Sequence, residues 1–342
     1  MLQTAVNAEL TRRNTNLLNG IHCYLNHPYR RRESIADVVW QQGHCRLLDF
    51  GVEGPEKTQM LFIPSLINRY YVLDLKDGRS MVEYLRRQGI RPLVMDWGEP
   101  DAEEQGFSCG DYVMKRLLPA LATRHSPTPL FVAGYCMGGL LALALAQSAQ
   151  SAISGLALIA TPWDFHSPDF PHVALDSPHI QRLCQLIEKG DTVSGDVIQT
   201  LFYATNPWLF ARKFAAFSKL DPTTDDAEEF VAIESWVNDT VHMSAPVARE
   251  CLIDWVQHNQ PACAKWKVDG KTIAPEVLDM PIFAACPAHD TIVPPNCAEP
   301  LLPLLHNRTV IRPTSGHVGM VAGANAEAEL WHPLSAWVHA QI

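Results

Sequence analysis

Short apolar runs alternate with amphipathic stretches along most of this chain. "QMLFIP" (59–64), "RPLVMDW" (91–97), "PLFVAG" (129–134) and "GLALIA" (155–160) are runs of strand length without a polar face. Such runs suit strands buried on both sides. Between them, "SMVEYLRRQG" (80–89) places apolar residues at helical spacing and stops at a glycine, and a second helix is expected near 110–124. A third helix is expected directly after Cys136, and "VVWQQGHCRLLDF" (38–50) reads as an initial hairpin around Gln41–Gly43. This alternation predicts a mostly parallel sheet with crossover helices on both faces.

From Thr161 to about Pro275 the rhythm changes. This stretch is rich in Pro, Asp and aromatic residues, and its segments 178–189, 195–217, 226–237 and 245–259 read as helices. Regular alternation returns with "MPIFAAC" (280–286), "RTVIRP" (308–313) and a final helix near 325–340. The expected organisation is an N-terminal extension (1–45), a core (46–161 and 276–342) and a helical insertion (162–275). Placed after the sixth strand, the insertion lies above the carboxyl ends of the strands, where ligands bind in open α/β sheets. It reads as a cap.

Composition narrows the classes. The formal charge of −10 argues against a nucleic-acid partner, since such binders carry a basic face. The run Arg30-Arg31-Arg32 reads as a solvated loop after Pro28. Nine cysteines, an odd count without Cys-x-x-Cys, suit free thiols in a reducing cytoplasm. His22, Cys23, His27, His44 and Cys45 match no standard zinc spacing and read as structural. Arg12-Arg13 is not followed by the apolar stretch of an export signal. The most apolar segment, Met137 to Ala146, is too short for a membrane span. The expectation is a soluble cytoplasmic protein.

The chemistry centres on "GYCMGG" (134–139), between a buried strand and an apolar helix. Gly-x-Ser-x-Gly in that position marks the nucleophile elbow of an α/β-hydrolase; here Cys136 takes the serine's place. Gly134, Gly138 and Gly139 supply the small neighbours that a strained turn needs. The helix start favours an anion, which suits a thiolate at Cys136. The Met137 N–H would face a substrate oxyanion, with a second donor from "PSLIN" near Ile67. For this box alone, a buried structural cysteine is an equally good reading. Asp290 in "AACPAHDTIVPP" and His317 in "PTSGHVG" shift the balance, because each follows a buried strand. The order nucleophile, acid, histidine is the one an α/β-hydrolase fold requires. Cys136 would be the nucleophile, His317 the general base, and Asp290 the orienting group or second-step base. Asp164 in "TPWDF" is a rival acid that reads better as a cap-hinge hydrogen bond, and His289 reads as a solvated loop residue.

A thiol accepting an acyl group from a thioester forms another thioester, so the group stays ready to pass to an alcohol. A serine would form a more stable oxygen ester. At this point the chain resembles the polyhydroxyalkanoate (poly-3-hydroxybutyrate) synthases, from about Arg46 to its C-terminus. "IPSLINRYYVLDL" (63–75), "LRRQGIRPLVMDWGEP" (85–100) and "GYCMGG" (134–139) are similar to family segments. Cys136, Asp290 and His317 fall on the family's catalytic cysteine, aspartate and histidine. "IESWVNDTVHMSAPVARECLIDWVQHN" (233–259) is similar to the short synthases that work with a second subunit. Thr291 and Pro295 depart from the histidine and tryptophan that many members carry there, and the cap lacks the aromatic-rich segment of the long synthases.

The resemblance implies acyl transfer from 3-hydroxyacyl-coenzyme A through a thioester on Cys136. Coenzyme A is then substrate and leaving group, and no bound cofactor or metal is expected. Implied partners are the growing polyester or its granule surface and a second synthase subunit or homodimer. Two other classes compete. One is a cysteine hydrolase: a depolymerase, a thioesterase or a dienelactone-hydrolase-like enzyme. The other is an inactive granule-associated scaffold, whose cap aromatics Trp208, Phe210, Phe214 and Phe217 would touch polymer or partner. Their spacing reads more simply as a buried helix face.

Overall fold

A computed structural model describes residues 2–123, 127–170, 192–197 and 207–342, together with Gln181, Cys184, Gln185, Ile187 and Lys189. Its centre is an eight-stranded sheet: β1 (Asp37–Gln42), β2 (Cys45–Asp49), β3 (Thr58–Ile63), β4 (Ile90–Asp96), β5 (Leu130–Tyr135), β6 (Gly155–Ile159), β7 (Ile282–Ala285) and β8 (Arg308–Ile311). The spatial order is β1-β2-β4-β3-β5-β6-β7-β8. β2 pairs antiparallel with β1 and β4, and every pair from β4 through β8 is parallel. The sheet therefore takes in β1, which starts before the expected core boundary at residue 46.

Both faces are covered, which explains the continuous apolar runs. Along β3, Leu61 and Ile63 face one core while Met60 and Phe62 face the other. The first face packs against α3 (Met137–Ser148), whose Leu140, Leu143 and Ala144 are fully enclosed. The second packs against α2 (Met81–Arg87) and the C-terminal helix α6 (His332–His339), where the Trp337 ring meets Phe131 at 5.4 Å. Ser80 caps α2 by accepting the Glu83 N–H.

The first helix, α1 (Leu2–Leu25), has no counterpart in the sequence reading. Asn14, Thr15, Asn16 and Asn19 dilute its apolar periodicity, and such residues favour caps and turns. Tertiary contact supplies what propensity lacks. α1 lies on α4 (Pro207–Phe217) so closely that a Cβ on Gly20 would come within 1.9 Å of the Phe214 carbonyl oxygen. The Tyr24 ring packs edge-on against Phe214 at 5.7 Å.

The arginine run also differs from expectation. Arg32 pairs with Asp74 and Asp77 at 2.7 Å each, and the Arg31 guanidinium lies 4.0 Å from the Tyr71 ring centroid. These arginines fasten the strap that leads from α1 into β1, whereas a polar run read alone suggests solvation.

Within the insertion, α4 and α5 (Asp225–Asn238) are followed by a helical run, Ala245–Arg249, that widens to π geometry over Glu250–Gln257. The expected helix 178–189 and the first part of 195–217 lie largely outside the described residues. Phe214 and Phe217 are buried and Phe217 stacks on Phe230 at 4.2 Å, so these two serve the helix face. Trp208 stays 75% exposed. Asn259 ties the two ends of the insertion together: its Nδ2 donates to Asp164 Oδ1 at 2.8 Å, and its Oδ1 accepts the Phe165 N–H at 3.0 Å. Asp164 is thus the hinge-type contact its position suggested.

Candidate active site

The turn from β5 into α3 leaves Cys136 at φ 56°, ψ −127°, a conformation that a residue with a Cβ adopts only under constraint. The constraint is visible on both sides. The Cys136 N–H donates to Ile159 O at 2.8 Å on β6, and the Cys136 carbonyl accepts the Gly139 N–H at 2.9 Å. The glycines are required by contact. A Cβ on Gly138 would lie 2.0 Å from Ile63 O, one on Gly134 2.5 Å from Gly138 O, and one on Gly139 1.9 Å from Thr161 Oγ1. The elbow is therefore pressed against β3, and no larger side chain fits at these three positions.

Asp290 follows β7 and His317 follows β8, and the structure brings their side chains together. His317 Nδ1 and Asp290 Oδ2 are 2.6 Å apart, both buried. A carboxylate only accepts, so Nδ1 is the donor and Nε2 remains for the thiol side. The second carboxylate oxygen, Oδ1, accepts the N–H groups of Ile292 at 2.8 Å and Val293 at 2.9 Å. Burial alone would lower the proton affinity of the imidazole. The negative charge of a Cys136 thiolate and of Asp290, with hydrogen bonds to both, outweighs burial and pushes His317 up to about 10. The arrangement thus favours the imidazolium form of His317.

Tyr135, just before the nucleophile, was not singled out by sequence because it completes an apolar strand. Its ring lies 5.1 Å from the imidazole and its hydroxyl donates to His317 O at 3.3 Å. It fixes the backbone and one face of the histidine. His289 is exposed and Asp164 is engaged with Asn259, so neither competes with Asp290.

The two expected oxyanion donors differ. Met137 is the first residue of α3, where an N–H has no intrahelical acceptor. The Ile67 N–H is not a free donor: it is held by Ser65 Oγ at 3.1 Å. The compact turn "PSLIN" lets the hydroxyl reach the amide two residues on. The insertion braces the same loop, for Ile67 O accepts the Val241 N–H at 2.9 Å and Arg69 O accepts Trp236 Nε1–H at 2.7 Å.

Cys136 and His317 open onto a cavity of ≈ 470 Å³, walled on the core side by Ile67 and Val318 and on the insertion side by Ile233 and Trp236. Thr291 also lines it. No cluster of three or more metal-ligating side chains occurs among the described residues. Nor is any helix among them long and apolar enough to cross a membrane.

The family model described as alpha/beta hydrolase fold matches residues 60–324. The chain belongs to that family. A second model, described as the N-terminus of poly-beta-hydroxybutyrate polymerase (PhaC), matches residues 33–85. Among curated proteins, the poly(3-hydroxyalkanoate) polymerase subunit PhaC of Haloferax mediterranei is 26% identical over 88% of this chain, which spans 63% of that protein's length. Its counterpart in Haloarcula marismortui is 24% identical over 88% of this chain and 67% of its own. That of Thiocystis violacea is 24% identical over 83% and 81%. The relation to polyhydroxyalkanoate synthases implied by the motifs is thereby borne out. Among solved structures, a soluble variant of Saccharomyces cerevisiae monoglyceride lipase superposes with a TM-score of 0.61 at 13% identity, covering 92% of this chain and 99% of that one. The Paleococcus ferrophilus monoacylglycerol lipase gives 0.56 at 16%, covering 87% and 99%. Both share the fold.

Proposed function

We propose that this chain is the catalytic subunit of a polyhydroxyalkanoate synthase, with Cys136, His317 and Asp290 as its catalytic residues. The observation that carries the reading is a cysteine at the elbow beside a histidine anchored on Asp290, in a chain whose curated relatives are named polymerase subunits. The Cys136 thiolate attacks the thioester carbonyl of 3-hydroxyacyl-coenzyme A. The carbonyl oxygen becomes an oxyanion facing the Met137 N–H, with Ile67 as second donor once it leaves Ser65. The carbon–sulfur bond to coenzyme A breaks, and the departing thiolate takes the proton of the His317 imidazolium.

Acylation also resets the base. The thiolate charge that raised His317 is gone, while burial still disfavours the imidazolium. His317 can then accept the proton of an attacking 3-hydroxyl. The hydroxyl oxygen forms an ester with the Cys136-bound acyl group and the Cys136 thiolate leaves. The lengthened chain, now a coenzyme A thioester, re-acylates Cys136, so one coenzyme A is released per unit added. The insertion over the cavity limits competition by water. The relatives' name "subunit" supports a second subunit as partner, and the exposed Trp208 offers a contact for partner or polymer at a cytoplasmic granule.

Coenzyme A release from 3-hydroxybutyryl-coenzyme A, followed together with insoluble polymer, tests this reading. Both are expected with the native chain, alone or with its partner subunit, and neither with Cys136→Ala. Release of free 3-hydroxy acid without polymer would instead make the chain a thioesterase.

A further inference from the structure

Three charged side chains of the insertion, Asp169, Lys213 and Glu234, line the cavity over Cys136, and two of them pair with each other. Lys213 on α4 and Glu234 on α5 both line it, with Nζ and Oε2 2.7 Å apart. Glu234 is only 5% exposed. Burial pushes its carboxyl up, and Lys213 opposes that shift by favouring the ionised form. The pairing leaves Oε2 without an aligned hydrogen bond. Much of the remaining wall is apolar, with Val72, Ile233, Trp236, Val237 and Ile292, while Asn68, Arg69 and Thr291 add polar groups.

A cover that only had to exclude water would be apolar there as well. Replacing a buried ion pair by hydrophobic residues of similar size is often neutral or stabilising, so this pair is not explained by stability. In mostly apolar pockets, the few polar groups orient the ligand. Under the acyl-transfer reading, on which this inference rests, the acyl unit is a short hydrocarbon whose one polar group beyond the reacting carbonyl is its 3-hydroxyl. That hydroxyl is a donor, and an ionised carboxylate accepts only. We propose that Glu234, held by Lys213 at 2.7 Å, accepts a hydrogen bond from the 3-hydroxyl of the acyl unit and selects hydroxyacyl over plain acyl thioesters. A plain acyl thioester would offer this buried carboxyl group no hydrogen bond in place of the water it displaces, which is where such discrimination gains its strength.

The test compares single-turnover release of coenzyme A from 3-hydroxybutyryl-coenzyme A and from butyryl-coenzyme A. Butyryl-coenzyme A can acylate Cys136 but offers no hydroxyl. The native enzyme is expected to favour the hydroxyacyl thioester by roughly 10- to 100-fold in kcat/KM, the worth of one hydrogen bond to a charged group. The double variant Lys213→Met with Glu234→Leu removes the pair without stranding a charge, and should reduce that ratio to below about 3-fold. Glu234→Gln keeps an acceptor oxygen and should fall between. A native ratio near one, or variants that slow both thioesters equally and preserve the ratio, would overturn the assignment. Failure of both thioesters to acylate the native enzyme would instead remove the acyl-transfer reading beneath it.

Discussion

His317 donates from Nδ1 to Asp290 at 2.6 Å, and Asp290 is itself held by the amides of Ile292 and Val293. The carboxylate therefore fixes the imidazole from behind, and Nε2 is the nitrogen left for Cys136. Asp290→Asn keeps the shape and removes the charge. Acylation by 3-hydroxybutyryl-coenzyme A should slow by roughly 10²- to 10⁴-fold, the usual weight of a positioned acid–base group. Thermal unfolding of the variant checks that the fold is kept.

The same pair sets a pH dependence. Burial disfavours the His317 imidazolium, but Cys136 and Asp290 beside it outweigh burial and push it up to about 10, so the charged form is favoured through neutral pH. Cys136→Ala removes one of the two groups that raise it, so the titration should move down, towards the ordinary histidine range near 6.5. Nitrogen-15 NMR of the imidazole, recorded on both proteins from pH 6 to 10, reads this directly. An unchanged midpoint would mean that the thiol carries no charge beside His317.

Ser65 Oγ holds the Ile67 amide at 3.1 Å, so under the proposed oxyanion role it would compete with the substrate. One hydrogen bond contributes about 0.5–1.5 kcal/mol net. Ser65→Ala should therefore raise the acylation rate by roughly 2- to 10-fold, read as kcat/KM for coenzyme A release. A slower variant would show that the hydroxyl supports the loop instead.

Gly138 has no room for a methyl group, since its Cβ would lie 2.0 Å from the Ile63 carbonyl oxygen. Backbone cannot yield as a flexible side chain does, so Gly138→Ala should destabilise the fold by about 3 kcal/mol. Chemical denaturation measures it. Gly106, with nothing within 4 Å of its Cβ position, is the control that tolerates alanine.

These expectations show which parts of the molecule its sequence carries. The strands were legible because both faces of the sheet are buried, and continuous runs such as 59–64 can hardly be anything else. The elbow, Asp290 and His317 were legible because fold and chemistry fix their order and their places at strand ends. α1 was not, because its stability comes from the close approach of Gly20 to α4, which no local pattern encodes. The roles of Arg31 and Arg32 were hidden for the same reason: their partners, Tyr71, Asp74 and Asp77, are distant in sequence. Ile67 lines the cavity, yet its amide's hydrogen bond to Ser65 depends on a turn geometry that "PSLIN" alone does not specify. Lys213 and Glu234 look like ordinary surface charges of two helices until the insertion folds over Cys136.

The most direct test of the account is intact-protein mass spectrometry of the native chain and of Cys136→Ala after mixing with 3-hydroxybutyryl-coenzyme A. Acyl transfer through Cys136 predicts a ladder of added hydroxybutyryl units on the native chain and none on the variant. A native chain that releases coenzyme A while carrying no acyl adduct, or a variant that carries the same ladder, would contradict it.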